Sequence, residues 1–242
     1  MQNLVQVDPR RAFPREFVPR DADMGDWAQI EPLFQALRER AITSVDGLEQ
    51  WLADISELSS AIAEERTTRY IAMTRQTDDP AREAAYQDFI ENIEPKVKPQ
   101  WHALETLYIA APFRRLLPMA LYGVMDRIVE NDMAIYRDTN VPLETQDALF
   151  MKEYQKCSGA MTIRYRGEEL TLPQAAKHLE EPDRPVRQET WELITARRLQ
   201  DKDALEDLYD KMVVLRTQIA TNAGFENYRD YTFRRRRRFD YT

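Results

Sequence analysis

The chain has 242 residues, enough for one large domain or two small ones with a substantial buried core. It is 43% hydrophobic and 31% charged, which is typical of a globular protein, and its six glycines argue against a turn-rich β-protein. The 42 acidic and 34 basic side chains give a net charge of −8, which disfavours a nucleic-acid-binding function.

The amino terminus lacks the apolar core of a signal peptide, and no apolar run has the length of a membrane span. A single cysteine, Cys157, excludes an intrachain disulfide. We therefore expect a cytoplasmic protein with neither nucleic acid nor membrane as a partner.

The first half of the chain has the apolar spacing of helices. Asp26 is a suitable cap for a first helix, and Ser44 for a much longer second one. In the second helix, apolar residues recur every three or four positions: Leu48, Trp51, Leu52, Ile55, Leu58 and Ile62. This stripe predicts a helix that packs on one side against the core.

The next helix is predicted to begin at Pro80, because proline is tolerated in a first turn. Pro95 and Pro99 fall inside its apolar pattern, so we expect a kink or a break there. The segment that starts at Pro112 is the most apolar in the chain, and we expect it to lie at the centre of the fold.

The pattern changes once in the second half. Residues 161–172 alternate around Gly167 and predict a β-hairpin. Helices are predicted on both sides of it, over about 142–157, 183–202 and 204–223, the last ending at Gly224. The predicted fold is mainly α, an elongated array of long antiparallel helices with this one hairpin.

A search for zinc-peptidase motifs finds none complete. The common motif needs two histidines one helical turn apart with a glutamate between them, and neither His102 nor His178 can begin it. The inverted motif starts twice, as at His102 and Glu105, but Thr106 stands where the second histidine should be, and the repeat at His178 is incomplete in the same way. We therefore predict no metal ligand in this chain.

Other catalytic patterns are also missing. There is no glycine-rich phosphate loop and no serine in a G-x-S-x-G turn. Cys157 has no histidine near it in sequence, and we interpret it as a small buried thiol. The residues alone predict a helical scaffold with no catalytic residue and no identified substrate-binding residue.

Three motifs in the carboxyl-terminal half resemble the oligoendopeptidase F family, zinc metallopeptidases related to thimet oligopeptidase. One is the hairpin I-x-Y-x-G-E-E-L-T-L, and another is D-R-x-x-R at the start of the following helix. The most specific is R-x-x-I-A-x-N-A-G-F-x-N-Y-R-D-Y, from Arg216 to Tyr231, which leads to Arg238 and D-Y-T. The likeness is specific from about Tyr136 to Thr242.

The resemblance implies a helical peptidase of short peptides, with a deep channel between two halves and zinc in the full-length parent. This sequence resembles the amino-terminal half, and it lacks the H-E-x-x-H motif and the downstream zinc glutamate. We therefore expect that the catalytic domain is missing from this chain, that the chain alone is inactive, and that it holds no zinc. A non-catalytic helical interaction or scaffold module remains the alternative.

The resemblance divides the chain into four parts: an extended segment (1–25), a helical amino-terminal lobe (26–140), a family-like region with the hairpin (141–233) and the start of a connection to the catalytic domain (234–242). The last part contains the run Arg234–Arg238. On a helix, these arginines would point all round the axis. Three roles stay open for them: pairing with acidic residues, binding a peptide carboxylate, or a solvated linker. We expect residues beyond about Phe233 to be mobile or poorly packed in the isolated chain.

Overall fold

A computed structural model describes residues 15–241, and their fold is mainly α, as the sequence predicted. The helices are α1 (Trp27–Glu39), α2 (Val45–Arg75), α3 (Pro80–Asp88), α4 (Glu94–Ala110), α5 (Met119–Ile135), α6 (Val141–Gly159), α7 (Leu172–Ala176), α8 (Arg184–Gln200), α9 (Lys202–Asn222) and α10 (Tyr228–Arg235). None of the helices described within residues 15–241 combines the length and the apolar character needed to cross a membrane. The predicted extended segment 1–25 lies largely outside the described residues.

Side chains that cap helices fix where the first elements begin. The Asp26 carboxylate accepts a hydrogen bond from the Ala28 amide at 3.0 Å, and the Ser44 hydroxyl accepts one from the Gly47 amide at 3.0 Å. Such bonds satisfy amides that have no partner within the helix. The helix starts predicted at these two caps are confirmed.

The disturbance predicted around Pro95 takes the form of a π-helical turn, Phe89–Ile93, between α3 and α4. Pro95 lies in the first turn of α4 and Pro99 lies inside that helix. A proline ring displaces the carbonyl four residues before it, and a wider turn relieves that clash. The helical path therefore continues through this region without a break.

The largest core lies in the amino-terminal lobe, where α1, α2 and α4 bury their apolar faces. Trp51 of α2 is fully buried, and its indole N–H donates to the Leu37 carbonyl at 2.8 Å. Phe34 of α1 packs edge-to-face on Trp101 of α4, with ring centroids 4.6 Å apart. These contacts fix α4 against both preceding helices.

The expectation that the apolar segment after Pro112 lies at the centre is wrong. Of the α5 residues that the structure describes, only Asn131 is buried. Met119, Leu121 and Val124 are 73–78% exposed. α5 packs against α4 on one side and against α10 on another. Composition indicates how much apolar surface a helix carries. It does not indicate whether other helices in residues 15–241 bury that surface.

The predicted hairpin is confirmed. Strands β1 (Thr162–Tyr165) and β2 (Glu168–Thr171) pair antiparallel, and the turn residues Arg166 and Gly167 both have positive φ, as tight hairpin turns require. The inner face of the hairpin packs with α7 and α8 in a small second core.

The third core joins α9 to α10, and α9 ends just before a glycine in this core region. Gly224 has φ +85°, and the Phe225 amide donates back to the Ala220 carbonyl at 2.9 Å. This arrangement satisfies the last carbonyls of α9 and needs a left-handed residue, which favours glycine. The helix end predicted at Gly224 is confirmed.

Candidate functional site

A groove of about 840 Å³ lies between α2, α4 and α5 and is here called the α2–α5 groove. Its walls are mostly apolar, and the main contributors are Leu52, Ile55, Trp101, Leu104, Val124 and Ile128. Three serines of α2 line the edge, Ser56, Ser59 and Ser60. A volume of this size and an apolar lining with a few polar groups are typical of ligand sites.

A second cavity of about 250 Å³, the Arg237 pocket, adjoins the groove between α4, α5, α6 and α10. The two cavities share four lining residues, Trp101, Glu105, Asp132 and Arg237. These four side chains therefore form the boundary between the groove and the pocket.

The turn after α10 determines where Arg237 lies. The amide of Arg238 donates to the Phe233 carbonyl at 3.0 Å, and the amide of Arg237 donates to the Arg234 carbonyl at 2.9 Å. Arg237 takes the left-handed position of this motif, with φ +56°. A non-glycine residue in this conformation is uncommon and is strained by ~1–2 kcal/mol.

The strained residue reaches across to α5. One guanidinium nitrogen of Arg237 lies 2.6 Å from the Asp132 carboxylate, and the neighbouring Asn131 amide donates to the Arg234 carbonyl at 3.0 Å. These contacts attach the end of α10 to α5 and place one positive charge at the boundary between the cavities.

Glu105 of α4 lines both cavities beside this ion pair. Partial burial raises the pKa of Glu105 to about 7, with repulsion from Asp132 acting in the same direction and attraction by Arg237 opposing it. Among residues 15–241, no hydrogen bond or ion pair to this carboxylate is found, and none contributes to the shift of its pKa. The boundary therefore carries two carboxylates and one guanidinium.

The far wall of the Arg237 pocket is a set of paired polar groups. Lys98 lies 2.7 Å from the Glu144 carboxylate, and the Tyr231 hydroxyl donates to the same residue at 3.3 Å. Burial raises the pKa of Tyr231, so the hydroxyl stays protonated and remains a donor. These pairs hold α6 and α10 against α4.

The two histidines lie in separate parts of the fold. His102 stacks on Tyr136 with ring centroids 3.9 Å apart and lines the Arg237 pocket. His178 packs against Tyr165 of the hairpin at 4.6 Å. In the part of the chain that the structure describes, no three His, Cys, Asp or Glu side chains form a group that could hold a metal ion.

Cys157 of α6 is half-buried rather than fully buried, and it packs beside the second core. Burial raises the pKa of its thiol, which lowers the fraction of reactive thiolate. The interpretation of Cys157 as a packing residue fits this environment.

The arginine run does not form a helix throughout. α10 ends at Arg235, so only the first two of the five arginines belong to a helix. Arg237 pairs with Asp132, and Arg238 lies over the rings of Phe233 and Tyr241 at 5.5 and 5.6 Å.

The sequence did not indicate the boundary residues as a site. In the sequence, Glu105 stands out only as part of the incomplete inverted zinc motif that begins at His102. A usable signal was its position on the apolar stripe of α4, four residues after Trp101 and three before Tyr108. A carboxylate on such a stripe faces other elements rather than open solvent.

The comparisons with known proteins extend the resemblance to the part of the chain that precedes the sequence motifs. A family model described as the Peptidase M3 N-terminal domain matches residues 20–136. No curated protein sequence matches the chain.

Several solved structures share its fold. A protein described as an oligoendopeptidase F is 26% identical with a TM-score of 0.84, and the match covers 95% of this chain and 41% of that one. An oligoendopeptidase F described from Bacillus anthracis str. Ames is 23% identical, with a TM-score of 0.84 and coverage of 95% and 43%. PZ peptidase A, solved with an inhibitor, is 23% identical, with a TM-score of 0.83 and coverage of 94% and 41%.

The chain thus spans less than half the length of the proteins it matches. The likenesses at 23% identity show the fold alone. Together with the family model, the comparisons confirm the resemblance to oligoendopeptidase F and limit it to the amino-terminal part of such enzymes.

Proposed function

We propose that this chain is the substrate-channel-forming, amino-terminal part of a cytoplasmic zinc oligoendopeptidase that hydrolyses short peptides. Its H-E-x-x-H catalytic domain would lie in polypeptide outside these 242 residues. Zinc would be held there, because residues 15–241 contain no suitable group of ligands. The part proposed for this chain is geometric: a helical wall that admits short, unfolded peptides and excludes folded proteins by size.

The exposed face of α5 carries this proposal. Leu121 and Val124 lie one turn apart on the same side of α5 and are 74% and 73% exposed, and Val124 also lines the α2–α5 groove. An apolar helix face next to a groove is typical of a surface that contacts a ligand or another domain. The matched structures are more than twice as long as this chain, and the additional length would supply that other domain.

The first test is the coding sequence after Thr242. The proposal requires an H-E-x-x-H motif there. The extended protein should then cleave short peptides in a length series and leave a folded protein intact. A continuation without the motif would contradict the proposal and favour the alternative, a non-catalytic interaction or scaffold module.

The second test removes the proposed wall from the extended enzyme. Deletion of residues 1–136 removes whole elements, because α5 ends at Ile135. We expect the trimmed enzyme either to unfold or to accept longer substrates. If it remains folded with the same length limit, this chain does not set the limit.

A single substitution is a milder change than the deletion, and because Trp101 also packs on Phe34, circular dichroism establishes first that the variant is folded. Trp101→Ala widens the boundary between the two cavities, and Trp191→Ala removes the same side chain from an exposed site on α8 as the matched control. Only the first substitution should change the length limit.

A further inference from the structure

Glu105 has no partner although it stands at a partly buried boundary. It lines both the α2–α5 groove and the Arg237 pocket, and within residues 15–241 no donor or cation contacts its carboxylate. The neighbouring Asp132 is already paired with Arg237 at 2.6 Å. In the lining of the α2–α5 groove the charged groups are two carboxylates and one guanidinium, an excess of one negative charge. The rest of the Arg237 pocket adds Lys98, Arg137 and Arg235 against Glu144, so this negative excess belongs to the groove side of the boundary.

The partial burial of the Glu105 carboxylate destabilises the folded state, and no hydrogen bond or ion pair within residues 15–241 offsets this effect. Removing a carboxylate from water without a partner is unfavourable, and polar groups in such places are normally hydrogen-bonded. Burial and Asp132 raise the pKa of Glu105 accordingly. A carboxylate perturbed in this way within a cleft is typical of a functional site.

A second group at the same place has unused hydrogen-bonding capacity. Nδ1 of His102, which lines the Arg237 pocket, is buried without a hydrogen-bond partner in the described part of the chain. His102 precedes Glu105 by one turn of α4, so both open positions lie on the same side of the helix. A bound ligand could therefore supply hydrogen-bonding partners for His102 and Glu105 at the boundary.

We propose that Glu105 and Asp132 bind a primary ammonium group of a peptide whose apolar side chains lie along the α2–α5 groove. This inference deepens the proposed function, since it rests on the ligand being a peptide and names the group by which it is recognised. Ser56 and Ser59 at the edge of the groove offer hydroxyls for the peptide backbone.

The chemistry of the boundary favours an ammonium over other cations. A divalent metal ion needs more oxygen ligands than two carboxylates provide, and no group of three or more acidic, His or Cys ligands occurs in residues 15–241. A guanidinium binds best to a carboxylate in bidentate form, and Arg237 already occupies Asp132. An ammonium is compact and has three donors, so it can bind two carboxylates at once without the flat bidentate contact that a guanidinium prefers.

The test measures peptide binding to the 242-residue chain by isothermal titration calorimetry. The probes are an apolar hexapeptide with a free amino terminus, the same peptide acetylated at that terminus, and an acetylated version with lysine as its first residue. We expect the acetylated apolar peptide to bind about 10- to 100-fold more weakly than the free one, which is the effect of losing a charged hydrogen bond. Binding of the lysine peptide would assign the ammonium to a side chain, and its failure would assign it to the amino terminus.

Three variants separate a binding role from a structural one. Glu105→Gln keeps the shape and should weaken the free peptide by the same 10- to 100-fold, whereas Glu105→Asp keeps the charge and should retain part of the affinity. Glu31→Gln, on the exposed side of α1, removes an equal charge and should leave binding unchanged. Circular dichroism establishes that each variant is folded.

The inference fails if free and acetylated peptides bind equally, if Glu105→Gln binds like the wild type, or if no peptide binds. None of these results decides the proposed function, which the cleavage assay of the extended enzyme judges separately. Conversely, ammonium-dependent binding by this chain would stand even if the extended enzyme had no length limit.

Discussion

Replacing Glu105 with glutamine should make the protein more stable at alkaline pH, although the residue is proposed to bind substrate. The pKa of this carboxyl is about 7 in the folded protein, against an ordinary value of 4.5. Between these two pH values the folded state binds more protons than the unfolded state. The free energy of unfolding of the wild type therefore falls as the pH rises through this window, because of Glu105.

The structure bounds the size of the effect. Each pKa unit corresponds to ~1.4 kcal/mol, so the ionised carboxylate destabilises the fold by at most ~3.5 kcal/mol. Glu105 opens on the groove, where water screens part of the repulsion from Asp132. We expect Glu105→Gln to raise the free energy of unfolding by ~1–2 kcal/mol above pH 7.5 and by almost nothing below pH 4.5.

The assay is urea unfolding of both proteins at several pH values from 4 to 8.5, followed by tryptophan fluorescence. The difference between the two proteins isolates Glu105, because all other titrating groups are shared. Glu31→Gln is the control and should show no difference that grows with pH.

A constant difference between Glu105→Gln and the wild type across the pH range would refute this reasoning. So would a variant that is less stable at pH 8, since that would mean that the carboxylate makes a favourable contact in the folded state. The predicted increase in the free energy of unfolding would instead show that the Glu105 carboxylate lowers the stability of the fold. Such a loss of stability is typical of a residue kept for binding.

Gly224→Ala should lower the free energy of unfolding by ~1 kcal/mol, because alanine resists the positive φ while no atom lies within 4 Å of the added methyl group; urea unfolding measures it, and an unchanged midpoint would contradict it. Asn140→Ala should lower the free energy of unfolding by ~1–3 kcal/mol, because the buried side-chain amide donates to the Ile219 carbonyl at 3.0 Å and joins α6 to α9. A decrease of less than ~0.5 kcal/mol in the same urea assay would show that this hydrogen bond is dispensable. Hydrogen exchange should show weak protection of the amides of Phe239 and Tyr241, which lie beyond the contacts of Arg237 and Arg238 that hold the preceding turn, and strong protection in a monomer would be evidence against a mobile end after Arg238. Elemental analysis of the purified chain should find no stoichiometric zinc, and one tightly held zinc ion per chain would overturn the assignment of the metal to another domain.

The sequence alone determined the features that depend on neighbouring residues. Caps, helix ends and the hairpin turn follow from the conformations that a few adjacent residues prefer, and Ser44, Gly167 and Gly224 each adopt the role that the pattern predicted. The family resemblance was also readable, because its motifs are short and contiguous.

The groove and its charged boundary were decided by the tertiary structure. Asp132 lies 27 positions after Glu105 on a different helix, and Arg237 joins them from beyond α10. No local preference records that these three side chains meet, since the meeting depends on how α4, α5 and α10 pack. The position of Arg237 also needs a left-handed backbone that sequence patterns rarely assign to arginine.

The error at α5 has the same origin. Its apolar residues indicate that the helix requires a partner, but a hydrophobic pattern does not say which surface provides it. In the described residues α4 and α10 cover only part of the helix, and Leu121 and Val124 face outward. Hydrophobic attraction is non-directional, so only the arrangement of the whole fold decides which apolar residues are buried and which remain for a ligand or another domain.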